Sequence, residues 1–221
     1  NILHRDMSIL AADRKAMAEW PVASAPDITA HTGSTSVVHD HNKITLNSCR
    51  SLALGIAGHT QDHYYIQMIE RSANIDDWFL TIRKHMEGFL RVHNRSSLST
   101  LTSFMVNQGI ASFFDRDADS YFTHTFRFSP VESQTRLHGP IDGAKIFRAG
   151  SGGEHFETAV GLANIESFIA STKNSCTLET CIPWMRDAYR KVSESDPDSG
   201  GEPVFVVSTR SEPKFRFIER C

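Results

Sequence analysis

The order of the periodic segments along the chain limits its fold more than any other feature. Apolar residues recur at helical spacing over residues 61–72 and 75–93, and again between 154 and 192, so helices are predicted in pairs. Blocks of alternating, strand-like sequence precede, separate and follow these pairs. A parallel sheet built from βαβ units has one helix between successive strands, so it does not give this order. The sequence therefore predicts an α+β fold, a four-layer αββα sandwich in which two antiparallel sheets carry a helix pair on each outer face.

The same patterns predict where the individual elements begin and end. Hairpins are predicted for residues 2–3 with 7–12, 43–46 with 52–57, and 203–209 with 214–219. Further strands are predicted at 102–107, 111–115, 121–128 and 145–149, and a long loop or irregular strand pair at 20–41. The second helix pair is predicted as one helix from 154 to about 168 and another over 178–192, with Pro183 near its first turns. No linker or repeat interrupts the pattern, so residues 1–221 are expected to form a single domain.

Composition excludes several classes of function. The chain has 23 basic and 26 acidic side chains and a net charge of −3, which gives no electrostatic reason to bind nucleic acid or anionic lipid. The longest apolar runs, such as residues 52–57, are far shorter than the roughly 20 residues of a membrane span. His4, Arg5 and Asp6 stand where a secretory signal would be apolar. We therefore expect a cytoplasmic protein with no nucleic-acid partner and no membrane partner.

Cysteine and histidine spacings do not predict a metal or redox site. The cysteines are Cys49, Cys176, Cys181 and Cys221. The one short spacing, from Cys176 to Cys181, is typical of neither zinc nor redox motifs, and a cytoplasm is reducing. All four thiols are therefore predicted to be unpaired, with no two at bridging distance. The pairs His39 with His41 and His59 with His63 lack a nearby third ligand, so we expect no metal and no cofactor.

Five short motifs carry residues suited to chemistry, and each also has an ordinary structural explanation. Asp13 follows the first hairpin, where an aspartate often caps a turn, and Lys43 begins a strand, where lysine often protects a sheet edge. Residues 55–58, Gly-Ile-Ala-Gly, allow another backbone to approach closely. Residues 150–153, Gly-Ser-Gly-Gly, suit either an anion site at a helix N-terminus or only a tight turn. Residues 196–201, Asp-Pro-Asp-Ser-Gly-Gly, suit a polar surface turn.

The order and spacing of these motifs resemble those of the β-type, catalytic subunits of the proteasome and of the bacterial HslV peptidase. These proteins are N-terminal-nucleophile (Ntn) hydrolases. The resemblance covers essentially the whole chain, although residues 98–140 match only in pattern, and its most specific parts are residues 150–153 and 196–201. Non-catalytic α-type subunits generally lack this set. The resemblance implies the proteasome-like αββα sandwich of the Ntn hydrolases.

The resemblance also implies catalytic roles for five side chains. Lys43 would be the cation beside the nucleophile, and Asp13 would neutralise and orient it, so the two should lie within ion-pair distance. Ser151, Asp196 and Ser199 would form a hydrogen-bonded set around the α-amine of the nucleophile. Lys43 and Asp13 are expected to face the N-terminal end of the chain, with Ser151 and Ser199 close by.

The nucleophile and the substrate strand are implied in the same way. Asparagine is not a nucleophile, so a threonine is expected immediately before Asn1, with its own α-amine, of pKa ~8, accepting the hydroxyl proton. The backbone N–H of Gly58 would be the oxyanion donor. Gly55 to Gly58 would pair with an extended peptide substrate, and Ile56 would lie at the first specificity pocket.

The resulting interpretation is a threonine-type peptidase that cleaves peptide or unfolded-protein substrates inside a homo-oligomeric ring. An ATP-dependent unfoldase is a partner by resemblance only. Two alternatives stay open from the sequence: a catalytically silent subunit or scaffold that lacks the nucleophile, and an Ntn amidase that acts on a small amide. The residue that precedes Asn1 distinguishes the enzyme from the silent subunit.

Overall fold

A computed structural model describes residues 1–14, 16–19, 35–38, 43–58, 72, 74–81, 84, 107–128, 133–197 and 199–218. Within these residues the fold is mixed α+β and contains two five-stranded antiparallel sheets. The predicted α+β class is therefore confirmed. A separate two-stranded pair joins β3 (Ala16–Glu19) to β4 (Thr35–Val38). Only β4 lies within residues 20–41, where a loop or irregular strand pair is predicted, and the rest of that stretch is outside the described residues.

The first sheet is built from both ends of the chain. Its strands are β1 (Ile2–His4), β2 (Met7–Ala12), β10 (Ala144–Ile146), β11 (Val204–Thr209) and β12 (Glu212–Ile218). They lie in the order β10-β1-β2-β11-β12. Both predicted terminal hairpins are present, and they meet where β2 pairs with β11 from Met7–Thr209 to Ala12–Val204.

The second sheet follows the chain order. Its strands are β5 (Ile44–Leu46), β6 (Leu52–Gly58), β7 (Asn107–Asp115), β8 (Ser120–Phe128) and β9 (Ser133–His138). The predicted break between residues 107 and 111 is wrong, because Gly109 lets one strand continue where a Cβ would lie 2.4 Å from the Gly55 carbonyl oxygen. The rest of the strand predicted at 102–107 lies outside the described residues. The sequence also missed β9, because most of its side chains are polar and exposed and show no apolar alternation.

Within the described residues, three helices lie in the second half of the chain: α1 (Ser151–Val160), α2 (Leu162–Thr172) and α3 (Leu178–Ser195). The single helix predicted from 154 to about 168 is wrong, because Gly161, at φ 85°, separates α1 from α2. Pro183 is tolerated inside α3. Residues 75–81 are helical as predicted, whereas residues 61–71 and 85–93 lie outside the described part of the chain. No described helix is both long and apolar enough to cross a membrane.

The inner faces of the two sheets pack against each other. The shared cluster contains Leu3, Leu10, Val206 and Phe215 from the first sheet and Ile44, Ala53, Ile110 and Tyr121 from the second. Because side chains alternate along a strand, neighbours of these residues point to the outer faces. Ile2 and Ile9 accordingly pack against Ile182 and Met185 of α3.

The outer face of the second sheet is covered in the same way. Leu52 and Leu54 of β6 pack there with Ile75 and Trp78, which belong to helical residues 75–81. Trp78 is fully buried, and its ring meets that of Phe126 edge-on, with ring centroids 5.1 Å apart. The described helical residues 75–81 therefore pack against β6 of the second sheet.

One pair of cysteines contradicts the expectation that no two thiols approach each other. The Sγ atoms of Cys176 and Cys181 are 2.7 Å apart, and both residues are free thiols. Thr177 is the N-cap of α3, so Cys176 precedes the cap and Cys181 lies on the first turn, two positions whose side chains commonly meet. Cys49 is also free, and Cys221 lies outside the described residues.

Candidate active site

A cavity of about 150 Å³ lies beside the first residue of the chain, between the paired sheets and the helices α1 and α3. Asn1, Asp13, Lys43, Ser151 and Ser199 all line it. Residues that are up to 198 positions apart in sequence are thus brought together at one end of the first sheet. Four of the five predicted catalytic residues face this cavity directly, and the fifth, Asp196, is bonded to two of them.

Lys43 and Asp13 form the ion pair that the sequence analysis expects. Lys43 Nζ lies 2.5 Å from Asp13 Oδ1, and the side chains are 19% and 13% exposed. Asp13 directly follows β2 and Lys43 directly precedes β5, so each comes from the end of a strand in a different sheet. This contact therefore forms because the two sheets pack face to face, and it holds the Lys43 side chain at the cavity wall.

Asp196 accepts two hydroxyl hydrogen bonds at the same oxygen. Ser151 Oγ donates to Asp196 Oδ2 at 2.9 Å, and Ser199 Oγ donates to it at 2.6 Å. Asp196 is buried and follows α3 directly, whereas Ser151 is the first residue of α1. A serine that donates its proton to a carboxylate still has free lone pairs. The two serines therefore present acceptor oxygens at the cavity, which suits an amine or ammonium group.

The glycines at the start of α1 are required because neighbouring side chains approach this backbone closely. A Cβ on Gly152 would lie 2.6 Å from Ser199 Oγ, and one on Gly150 would lie 2.8 Å from Ala57 Cβ. Gly150 also has φ 85°, a conformation that side chains rarely adopt. Residues 150–153 therefore hold the helix against the Asp196 turn and β6, and this close approach accounts for the glycines without a bound anion.

Asn1 is an anchoring residue that the sequence analysis did not identify. Its Nδ2 atom, which carries two hydrogens, lies 3.1, 3.1 and 3.2 Å from the acceptors Ser8 Oγ, Ile9 O and Ser112 Oγ, and Thr123 Oγ1 donates to its Oδ1 at 3.2 Å. The residue is buried. Isolated polar residues in apolar strands, such as Ser8 in β2, are the one sequence signal that points to such a network.

The backbone of Asn1 continues the pairing of β1 with β10. Its nitrogen donates to Phe147 O at 2.8 Å, and Phe147 N donates back to Asn1 O at 2.9 Å. Burial lowers the pKa of the Asn1 α-amine to about 5, so a positive charge is disfavoured at this nitrogen. The position suits the neutral nitrogen of a strand.

Tyr189 is a second residue at the cavity that the sequence analysis missed. Its hydroxyl donates to Ala11 O at 2.6 Å, which ties α3 to the end of β2 just before Asp13. Burial, and then the negative charge of Asp13, raise the pKa of Tyr189. The phenol therefore stays protonated and acts as a donor.

The expected substrate strand, β6, is only partly available for pairing. Gly55 already pairs with Ile44, and Ile56 N donates to Lys43 O at 3.1 Å. Both residues line the cavity, but the Ile56 side chain packs against the outer cluster of Leu52, Leu54 and Trp78. Gly58 ends the strand and is not among the described residues that line the cavity.

Comparison with known proteins supplies no family assignment. No family model matches the sequence, and no curated protein matches it. The described residues contain no group of three or more His, Cys, Asp or Glu side chains arranged to hold a metal ion. His39, His41, His59 and His63 lie outside the described residues.

Proposed function

We propose that the protein is a proteasome-like Ntn hydrolase that cleaves peptide bonds, with a threonine placed directly before Asn1 as its nucleophile. One observation carries the proposal: a single cavity combines the Lys43 cation with two serine oxygens whose protons are held by Asp196. An N-terminal threonine needs both features. Its hydroxyl needs a nearby cation when it becomes an alkoxide, and its amine needs acceptors that orient it.

The proposed reaction uses these groups in sequence. The threonine hydroxyl attacks the substrate carbonyl, its proton passes to the threonine's own amine, and that amine then protonates the leaving amine. Lys43 stabilises the developing negative charge, and Asp13 holds Lys43 in place. Ser151 and Ser199 accept hydrogen bonds from the amine and keep its lone pair directed at the hydroxyl. Water finally hydrolyses the acyl-enzyme.

The backbone position of Asn1 supports a preceding residue at this place. Because the Asn1 nitrogen is paired as a strand nitrogen, a residue before it would extend β1 along the same line, at the cavity. The cavity volume of about 150 Å³ is close to that of engineered cavities that admit one benzene molecule. It therefore suits a single small residue.

The direction of the backbone in β6 supports Gly58 as the oxyanion donor. Successive N–H groups of a strand point to opposite edges. The N–H of Ile56 points to the β5 edge, where it meets Lys43 O, so the N–H of Gly58 points to the same edge, beyond Lys43. Substrate pairing would then involve only this end of β6, since Gly55 and Ile56 are already paired.

The four-layer αββα arrangement and a ring assembly are parts of the same proposal. The apolar clusters on both outer faces of the sheets support the layers, with α2 and α3 on one side and residues 75–81 on the other. A homo-oligomeric ring would hide an N-terminal nucleophile that otherwise meets cellular peptides freely. Sedimentation at micromolar concentration should show an oligomer, and a monomer alone would contradict the ring.

The test begins with a chain that carries a threonine directly before Asn1, exposed by removal of a cleavable leader. We expect turnover of fluorogenic peptide amides and a single acylation at this threonine by an electrophilic inhibitor. A chain with alanine at that position should be inactive. Lys43→Met should lower kcat/KM by at least about 100-fold, the scale of losing one charge-stabilising contact in a transition state. Lys214→Met, the same change at an exposed lysine of β12, is the matched control and should retain activity.

The following results would contradict the proposal. If the chain with alanine before Asn1 turns over substrate equally well, the threonine is not the nucleophile. If Lys43→Met keeps full activity, the Lys43 cation has no role in the reaction. If every variant folds, as circular dichroism would show, and none turns over any peptide amide, peptide cleavage is contradicted, and the silent subunit and the small-amide amidase are the remaining alternatives.

A further inference from the structure

We propose that Cys176 and Cys181 form a thiol modification site, which takes small organic disulfides as co-reactant and closes into a reversible intrachain disulfide at the start of α3. The proposal concerns a site outside the cavity and does not depend on hydrolase activity.

The geometry of the pair carries the proposal. The two Sγ atoms already lie 2.7 Å apart, so bond formation needs no large backbone movement. The backbone between them is held by the cap of α3, where Thr180 N donates to Thr177 Oγ1 and Cys181 N donates to Thr177 O. Both thiols lie in the apolar cluster under β1 and β2, beside Ile2 and Met7.

The two thiols are not equivalent. The hydrogen bond from Cys181 lowers the pKa of Cys176, and the same contact raises the pKa of Cys181. Cys176 also retains a small exposed fraction of 7%, whereas Cys181 is fully buried. Cys176 is therefore the attacking thiol and Cys181 the resolving one.

The reaction balances as a thiol–disulfide exchange. The Cys176 thiolate attacks one sulfur of the external disulfide R–S–S–R, breaks that S–S bond and releases one R–S⁻. Cys181, after losing its proton to solvent, attacks the Cys176 sulfur of the mixed disulfide and releases the second R–S⁻. The two protein thiols are oxidised, the external disulfide is reduced to two thiols, and an external thiol reverses both steps.

The closed site should stabilise the fold without changing the cavity. The bond closes a loop of six residues, 176 to 181, and loop-closure entropy then predicts a rise in Tm of about 4–8 °C for a chain of this length. Asp196 lies roughly 22 Å farther along α3. Hydrolytic activity, where present, should therefore be unchanged.

The experiment incubates the folded full-length chain with oxidised glutathione and then digests it with trypsin under non-reducing conditions. Cleavage after Lys173 and Arg186 gives one peptide that contains both cysteines and neither Cys49 nor Cys221. We expect this peptide to lose about 2 Da, the mass of two hydrogens, to regain it with dithiothreitol, and to accompany the rise in Tm. Cys49→Ser should behave as the parent chain.

Two outcomes would overturn the proposal. The first is an unchanged peptide 174–186 under conditions in which exposed Cys49 is modified. The second is a glutathione adduct on Cys176 that persists without internal closure. Because the readout is made on the parent chain, poor folding of a Cys176→Ser or Cys181→Ser variant does not obscure the result.

Discussion

Gly152 offers the sharpest test of the packing around Asp196. It is the second residue of α1, and at an ordinary helix position a change from glycine to alanine stabilises a protein by up to about 1 kcal/mol. Here the new Cβ would lie 2.6 Å from Ser199 Oγ and 3.1 Å from Val192 Cγ1. We therefore expect Gly152→Ala to destabilise the protein, although helix propensity alone predicts that it would be stabilised.

The magnitude follows from the bond that must be broken. Ser199 Oγ has to rotate away from the new methyl group, and it then loses its 2.6 Å hydrogen bond to the Asp196 carboxylate. A hydrogen bond to a charged group contributes about 1.5–3 kcal/mol, and the helix gain offsets up to about 1 kcal/mol of this. The expected net loss in the free energy of unfolding is about 1–2 kcal/mol.

A double-mutant cycle isolates this contact. Urea unfolding followed by circular dichroism would compare the parent chain, Gly152→Ala, Ser199→Ala and the double variant. In the Ser199→Ala background the colliding oxygen is gone, so Gly152→Ala should be neutral or stabilising, with a coupling of at least about 1 kcal/mol. The reasoning is refuted if Gly152→Ala is as stable as the parent, or if its cost is the same in both backgrounds.

Three further predictions concern Asn1 and Tyr189 at the site and His138 at the end of β9. Asn1→Ala should lower the unfolding free energy by about 2–4 kcal/mol in urea melts, because the buried hydrogen bonds of the side-chain amide to Ser8, Ile9, Ser112 and Thr123 are lost; an unchanged midpoint would contradict the anchoring role. Tyr189→Phe should cost about 1 kcal/mol by the same measurement, since only the bond to Ala11 O is lost, and a larger loss would mean that the ring packing is disturbed. Burial is the main cause that lowers the pKa of His138, and the positive charge of Lys145 is the second. The unfolded chain therefore binds a proton at His138 more readily than the folded chain does. The contribution of His138 to the free energy of unfolding should fall as pH drops below about 6.5. An NMR titration should place the His138 pKa below that of a free imidazole and show it rising in Lys145→Gln, and an ordinary value in the parent chain would contradict this.

Much of the fold could be predicted from the sequence because strands and helices with one buried face leave a periodic signal. The terminal hairpins and the pair β5 and β6 lie where the alternation predicts them. The periodic pattern does not predict an element whose side chains are mostly exposed, and it does not show where a glycine ends a helix. Apolar residues do not alternate along the exposed strand β9, and Gly161 divides a stretch for which the sequence predicts one helix.

The candidate site divides in the same way. The resemblance in motif order implied that Asp13, Lys43, Ser151, Asp196 and Ser199 belong to one group, and the described contacts are a charged pair and a carboxylate that accepts two hydroxyl hydrogen bonds.

Tertiary structure alone decided the contacts made between segments that are distant in sequence. The side-chain amide of Asn1 meets Ser112 and Thr123 only because the two sheets face each other, and no local pattern encodes that meeting. Strand alternation places the Ile56 side chain on the same face as Leu52 and Leu54, where it packs against the outer cluster, although the resemblance implied a specificity pocket there. The physical reason is that periodicity records whether a side chain is buried, whereas its partners are set by how the sheets and helices pack.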